Sequence, residues 1–201
     1  MSAAADPFVT VVSGLPRSGT SLMMQILAAG GIPPLTDALR PADASNPRGY
    51  LEFEAVKRLK MDRSWLPQAR GHALKVIHLL LPELVGTPGT EGLRFRVVMM
   101  RRPVAEVVAS QRAMLARQGR ASATVPDAQL GKLFADQLER VERMVAGDTN
   151  FEVLTVHYPA LVADPVPEIA RINAFLGSSL DEAAMLRQVD PALYREKQAG
   201  A

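Results

Sequence analysis

The segment that most constrains the fold is a short apolar run, FVTVVSG, which ends at Gly14 and leads through a glycine-containing turn into a helix-like segment. Consecutive apolar and β-branched residues of this kind are typical of a strand that is buried on both faces of a parallel sheet. The segment after the turn, TSLMMQILAAGG, reads as a helix that ends at two glycines. The sequence therefore predicts a β-strand, a tight loop and an α-helix in succession.

Strand-like and helix-like segments continue to alternate along the chain. Further strands are predicted at 73–77, 95–100 and 151–158, and helices at 52–61, 103–118, 127–146 and 165–176, with a short helix and a tail over 180–201. Residues 31–50 and 86–92 are rich in turn-forming residues and predict loops. This alternation predicts an α/β protein with three layers, in which helices cover both faces of a parallel sheet. The length fits a single domain over residues 1–201.

The composition excludes several classes of protein. The chain has no cysteine, which excludes disulfides, thiolate metal sites and cysteine nucleophiles. Lysine and arginine total 23 and aspartate and glutamate total 21, and the net charge of +2 gives no reason to expect a nucleic-acid partner. The sequence predicts no membrane-spanning segment, and its first residues lack the basic region of a signal peptide. We therefore expect a cytoplasmic protein, either a monomer or a homodimer.

The turn after the first strand has the spacing of a phosphate-binding loop. Gly14 and Gly19 stand where the pattern G-x-x-x-x-G-K-[ST] has its glycines, but Thr20 occupies the position of the lysine. Arg17 supplies a cation three residues earlier. Because backbone N–H groups at the start of a helix form a cradle for anions, this loop predicts an anion-binding site.

The end of the 95–100 strand argues against a bound magnesium ion. A magnesium-dependent P-loop enzyme has an aspartate after such a strand, whereas this chain has Arg101 and Arg102. The sequence thus provides guanidinium groups where a metal site needs a carboxylate. The expected ligand is an anion that binds without a metal ion.

The loop Pro16-Arg17-Ser18-Gly19-Thr20-Ser21 resembles the P-[KR]-S-G-T-[TS] loop of the sulfotransferases that use 3′-phosphoadenosine-5′-phosphosulfate (PAPS). The resemblance implies a P-loop-type sulfotransferase fold, PAPS as the donor, adenosine 3′,5′-bisphosphate (PAP) as the product, and no metal. It also implies that the loop holds the 5′-phosphosulfate, with Arg17 contacting the group that is transferred. The residues assigned to the donor by this motif are Gly14, Pro16, Arg17, Ser18, Gly19, Thr20 and Ser21.

A second motif, RRPVAEVVAS, extends the resemblance. The family has an arginine at a strand end and a serine eight residues later, and Arg102 and Ser110 have this spacing. The resemblance implies that the pair binds the 3′-phosphate, which a guanidinium can hold with two hydrogen bonds. Because the proline follows one place early, Arg101 is the alternative. The segments NPRGYLEFE and FEVLTVHYPALVADPVPEIARINAFLG also resemble a branch of small bacterial proteins of this family, and a late arginine, Arg195, is implied to reach the same phosphate.

The catalytic base has two candidates. Glu52 follows the long loop, as the base does in some branches of the family, and the histidine of K-T-H in another branch corresponds to His78, one residue out of register. Since one extra residue turns a side chain to the other face of a strand, the sequence favours Glu52. Lys75 matches a strand lysine that lies near the sulfuryl group in several branches.

Three functions follow from these patterns. The leading one is transfer of a sulfuryl group from PAPS to a hydroxyl or amine of a small-molecule or carrier-bound acceptor. The alternatives are a nucleotide-binding P-loop kinase and a protein that binds PAP or PAPS without transferring the group. The missing loop lysine and the missing strand-end aspartate weigh against the kinase.

Overall fold

The sheet contains four parallel strands. A computed structural model describes residues 8–194, except residues 38, 44, 45, 47, 87–89, 91 and 121–124. The strands are β1 (Phe8–Gly14), β2 (Ala73–Lys75), β3 (Arg94–Arg101) and β4 (Phe151–His157), in the order β2-β1-β3-β4. Every pair of neighbouring strands is parallel. The predicted parallel α/β sheet is therefore confirmed.

Six α-helices surround this sheet in the described part of the chain. They are α1 (Thr20–Ala29), α2 (Val104–Arg117), α3 (Asp127–Ala146), α4 (Tyr158–Ala163), α5 (Pro165–Leu176) and α6 (Glu182–Leu186). Shorter 3-10 helices span Glu54–Arg58, Leu66–Ala69, His78–Leu84 and Pro191–Leu193. Within the described ranges, no helix is both long and apolar enough to cross a membrane.

Alternating side chains of the strands build a core on each face of the sheet. On β3, Phe95, Val97 and Met99 pack with α3 and the 3-10 helices on one face, while Val98 and Met100 pack with α1, α4, α5 and α6 on the other. Because both faces are covered, β1 is buried at every residue and β3 has a continuous apolar run over residues 97–100. This arrangement is the predicted three-layer architecture.

Three segments differ from the predictions made from sequence. The helix predicted at 52–61 is a 3-10 helix over Glu54–Arg58, and the strand predicted at 73–77 is paired only over Ala73–Lys75. The strand predicted at 151–158 ends at His157, because α4 begins at Tyr158 with a proline in its first turn, a position that proline favours. Only part of the turn at 86–92 and of the tail at 180–201 lies within the described residues.

The strand order places a crevice at the carboxyl ends of β1 and β3. The chain leaves β1 toward β2 and leaves β3 toward β4, so the two connections diverge at this point. Gly14, the last residue of β1, is paired with Met100 near the end of β3. Ligands of open parallel sheets bind where neighbouring connections diverge in this way. The glycine loop and the Arg102 motif consequently meet at one position.

Candidate functional site

The loop between β1 and α1 is held in a conformation that requires glycine at two positions. Gly14, Arg17 and Gly19 have φ angles of 147°, 75° and 101°. A Cβ atom on Gly19 would lie 2.4 Å from Cδ2 of Tyr158, and one on Gly14 would lie 2.7 Å from the carbonyl oxygen of Met100. The backbone of the loop therefore approaches its neighbours too closely for any side chain at either glycine.

This loop forms one wall of a cavity of about 420 Å³. Among the residues that line it are six cations and a single carboxylate, namely Arg17, Arg40, Lys57, Lys75, Arg102, Arg117 and Glu52. A concave site with this excess of positive charge attracts anions. Most of the predicted site residues also line it, namely Gly14, Pro16, Gly19, Thr20, Ser21 and Ser110.

Arg17 joins the two sequence motifs. Its Nε donates a hydrogen bond of 3.1 Å to Oγ of Ser110, which is buried on α2. Burial lowers the pKa of Arg17 from its ordinary value, although a guanidinium remains charged in proteins. The cation of the loop and the hydroxyl of the second motif thus line the same cavity, 93 residues apart in the chain.

Arg102 and Arg101 point in different directions. Arg102 lines the cavity, and its side chain donates from Nε to Glu106 at 2.9 Å and from a terminal nitrogen to the carbonyl oxygen of Arg17 at 3.2 Å. Arg101 instead forms an ion pair with Glu142 on α3. Of the two arginines, Arg102 is therefore the one that lines the cavity together with Ser110.

Glu106 and Tyr194 do not line the cavity but hold Arg102, which does, and they were not identified from sequence. Glu106 is 5% exposed and accepts hydrogen bonds from Arg102 and from the hydroxyl of Tyr194, the latter at 2.7 Å. The guanidinium carbon of Arg102 lies 5.2 Å and 5.0 Å from the ring centres of Tyr158 and Tyr194. The four-residue spacing of Arg102 and Glu106, at the start of a predicted helix, was the signal in the sequence that could have identified this pair.

Lys75 is a buried cation at the floor of the cavity. Its Nζ donates to Oγ of Ser21 at 2.8 Å, to the carbonyl oxygen of Tyr50 at 2.9 Å and to Oε1 of Glu52 at 3.4 Å. Burial lowers the pKa of Lys75 to about 8, and Glu52 opposes part of this effect. The lysine therefore changes charge near physiological pH.

Glu52 lies between two cations at the edge of the cavity. Its carboxylate pairs with Arg40 at 3.0 Å as well as with Lys75. The guanidinium of Arg40 stacks over the ring of Tyr50 at 3.4 Å, and the Tyr50 hydroxyl donates to Asp43 at 2.8 Å. The long loop before Glu52 thus contributes an arginine and a tyrosine to the site, which the sequence pattern did not identify as a cluster.

Two predicted residues are buried away from the cavity lining, and a third is not among the described residues. His78 is buried outside the lining of the cavity, where its Nε2 lies 3.0 Å from Oε1 of Gln137 and burial lowers its pKa. Ser18 is buried within the loop and does not line the cavity. Arg195 lies outside the described residues. Of the two candidate bases, Glu52 alone lines the cavity.

No group of three or more histidine, aspartate or glutamate side chains suited to a metal ion occurs in the part of the chain that the structure describes. The absence of a metal from the reaction stays a prediction. The cationic lining of the cavity nevertheless fits an anion that is neutralised by arginine and lysine instead of by magnesium.

The fold and part of the sequence match known sulfotransferases. The sulfotransferase domain of the Synechococcus PCC 7002 olefin synthase is 18% identical, with a TM-score of 0.54 over 100% of this chain and 92% of that one. Sulfotransferase STF1 from Mycobacterium tuberculosis is 22% identical, with a TM-score of 0.56 over 96% of this chain and 74% of that one. The sulfotransferase domain from the curacin biosynthetic pathway is 12% identical, with a TM-score of 0.55 over 96% of this chain and 84% of that one.

These structural matches show a shared fold. No curated protein matches the sequence. Residues 94–182, which span β3 to α5 and include the Arg102 motif, match the sequence profile of the sulfotransferase family. The carboxyl-terminal part of the chain is therefore similar in sequence to the sulfotransferase family, and the chain as a whole shares the fold of these sulfotransferases.

Proposed function

We propose that the protein transfers a sulfuryl group from PAPS to a hydroxyl or amine of a small-molecule or carrier-bound acceptor. The observation that carries this proposal is the hydrogen bond between Arg17 and Ser110, which brings the glycine loop and the Arg102 motif to one cation-lined cavity. PAPS carries anionic groups on the 3′ and 5′ positions of one ribose, and each of them needs positive charge beside it. The loop and the Arg102 motif supply this charge.

The residues of the cavity fit the charges of PAPS. The backbone N–H groups of the loop and the side chain of Arg17 would hold the 5′-phosphosulfate, since this loop precedes the amino terminus of α1. Arg102 and Ser110 would hold the 3′-phosphate through charge-assisted and hydroxyl hydrogen bonds. PAPS, when bound, would supply the sulfuryl group.

Glu52 is the base in this proposal. Its carboxylate faces the cavity where an acceptor would enter, and it can accept the proton of an acceptor hydroxyl. Lys75 and Arg17 provide positive charge beside it, which stabilises negative charge that develops on the transferred group. His78 contacts Gln137 in the core and is the less favourable candidate.

The two alternatives have weaker support. A P-loop kinase needs a lysine at the position of Thr20 and a carboxylate for magnesium, and Glu52 is the single carboxylate found among the described lining residues. A protein that binds PAP without transfer would share the anion-binding residues but would have no use for a carboxylate beside Lys75.

Calorimetric titration with PAP, ADP and magnesium ATP tests the proposed donor. We expect PAP to bind without metal and at least ten-fold more tightly than ADP, because a charge-assisted hydrogen bond contributes about 1.5–3 kcal/mol. Arg102→Ala should weaken the binding of PAP and leave the binding of ADP nearly unchanged. Arg101→Ala, the matched control, should change the affinity for neither nucleotide. Tighter binding of magnesium ATP than of PAP would contradict the proposal.

A further inference from the structure

The cavity has an apolar wall that a polar nucleotide does not need. Phe53, Val56, Ile77 and Leu80 line the cavity and come from segments that lie far from the glycine loop in sequence. Phe53 directly follows Glu52, and Ile77 lies two residues after Lys75. In sequence, the wall residues therefore adjoin Glu52, the proposed base, and Lys75, the proposed source of positive charge beside it.

The core holds this apolar wall in place. Val56 belongs to the core cluster on the α3 face of the sheet, and Phe53 and Leu80 pack against that cluster. The ring of Phe53 meets Trp65 edge to face at 5.2 Å. Ile77 is 43% exposed although it lies in a concave site. A preformed apolar surface beside a few polar groups is typical of a small-molecule site.

The cations on this side of the cavity are already paired with carboxylates. Arg40 pairs with Glu52 at 3.0 Å, and Lys57 pairs with Glu54 at 2.7 Å. Arg17, on the loop side, instead donates to the hydroxyl of Ser110. Each of these cations thus already has a carboxylate partner, and the four side chains of the apolar wall offer no polar group to an anionic acceptor or to a sugar.

We propose that the acceptor is a neutral hydroxyl compound with an apolar body, which packs on Phe53, Val56, Ile77 and Leu80 and directs its hydroxyl toward Glu52. This inference rests on the proposed function and specifies the chemical class of its acceptor. A sugar would leave its hydroxyl groups without partners against this wall, which is costly when the groups are desolvated. A carboxylate on the acceptor would find no cation among the wall residues and would have to compete with Glu52 for Arg40 and Lys75.

Calorimetry with three probes tests the inference on the chain saturated with PAP. The probes are 2-naphthol, 6-hydroxy-2-naphthoate, which carries a carboxylate on the same ring system, and glucose. We expect 2-naphthol to bind about ten-fold or more tightly than the carboxylate, by analogy with the discrimination that apolar pockets achieve. Glucose should give no measurable binding.

A matched pair of variants locates the wall. Ile77→Ser removes an exposed apolar side chain from the cavity, whereas Leu79→Ser removes one that is 50% exposed and does not line it. We expect Ile77→Ser to lower the affinity for 2-naphthol about ten-fold and Leu79→Ser to leave that affinity unchanged. Both variants should keep the affinity for PAP, which shows that they fold.

The outcomes separate this inference from the proposed function. If PAP does not bind to the chain, the proposed function fails and this inference fails with it. If PAP binds, but glucose or the naphthoate binds more tightly than 2-naphthol, the acceptor inference alone is overturned. Equal losses in Ile77→Ser and Leu79→Ser would also overturn it.

Discussion

Two carboxylates adjoin the candidate site, and their surroundings differ. Glu106 is 5% exposed and is held by Arg102 and by the hydroxyl of Tyr194. The side chain of Glu52 is 25% exposed, and its partners are Arg40 and Lys75. One carboxylate is enclosed by its partners, while the other is open to the cavity.

This difference assigns the two regions different tasks. A buried ion pair keeps its geometry, because loss of either partner leaves a charge without compensation in the interior. Glu106 therefore fixes the position of Arg102. A partly hydrated carboxylate can change its partner at low cost, so Glu52 can accept a proton from an acceptor. Substitutions in the two regions should consequently affect different measurements.

The largest expected effect is on turnover. Glu52→Gln should lower kcat by about 10²–10⁴, the usual contribution of a general base, because the amide cannot take up the proton. The affinity for PAP, measured by calorimetry, should be retained, since Gln has nearly the same shape. His78→Gln is the matched comparison and should retain activity.

A pH profile alone does not distinguish these two bases. Burial lowers the pKa of His78, which moves its titration toward the range of carboxylates. The pair of substitutions does distinguish them. If His78→Gln loses turnover while Glu52→Gln remains active, the histidine is the base and Glu52 has only a charge-balancing role.

The next effect is on stability. Glu106→Ala should lower the free energy of unfolding by about 3–5 kcal/mol, because it leaves buried Arg102 without its carboxylate partner. Glu142→Ala is the matched control, since it removes the partner of the neighbouring Arg101 from a pair whose side chains are 29% and 32% exposed. Its cost should be about 0–1 kcal/mol. Similar urea denaturation midpoints for the two variants would mean that the buried pair contributes no more to stability than the partly exposed pair.

Local sequence patterns predicted the strands and the loop because their causes are local. The apolar runs of β1 and β3 fill both cores, and the glycine spacing follows from close contacts within one turn and its neighbours. The short 3-10 helix at Glu54–Arg58 was predicted as a longer helix, because a few residues of amphipathic pattern do not fix the helix type or its ends.

The side chains that complete the site depend on distant parts of the chain. Tyr194 meets Glu106 across 88 residues, and Arg17 meets Ser110 across 93. No spacing rule relates such positions without knowledge of the strand order. The family resemblance assigned Arg17, Ser110 and Arg102 to one site in spite of this separation, but it gave no signal for Glu106 and Tyr194.

A smaller effect tests the contact of Tyr194 with this buried pair. Tyr194→Phe removes a hydrogen bond to a charged group and should lower the free energy of unfolding by about 2 kcal/mol. Tyr50→Phe is the control, because its hydroxyl donates to Asp43, which is exposed. Tyr50→Phe should lower the free energy of unfolding by less, since water can replace the lost hydrogen bond. Equal losses in chemical denaturation would mean that the Tyr194 contact is no stronger than a surface hydrogen bond.

The smallest effect concerns the charge of Lys75 in the open region. Because burial lowers the pKa of Lys75 to about 8, this residue loses its proton as the pH rises through that value. The affinity for PAP should therefore fall about ten-fold between pH 7 and pH 9, since the bound anion favours the protonated lysine. Over the same range, the unfolded chain keeps this proton, so the contribution of Lys75 to the free energy of unfolding increases with pH. Lys75→Arg retains its charge throughout and should show neither trend in calorimetry or denaturation. An affinity for PAP that is constant from pH 7 to pH 9 in the unmodified chain would place Lys75 away from the donor.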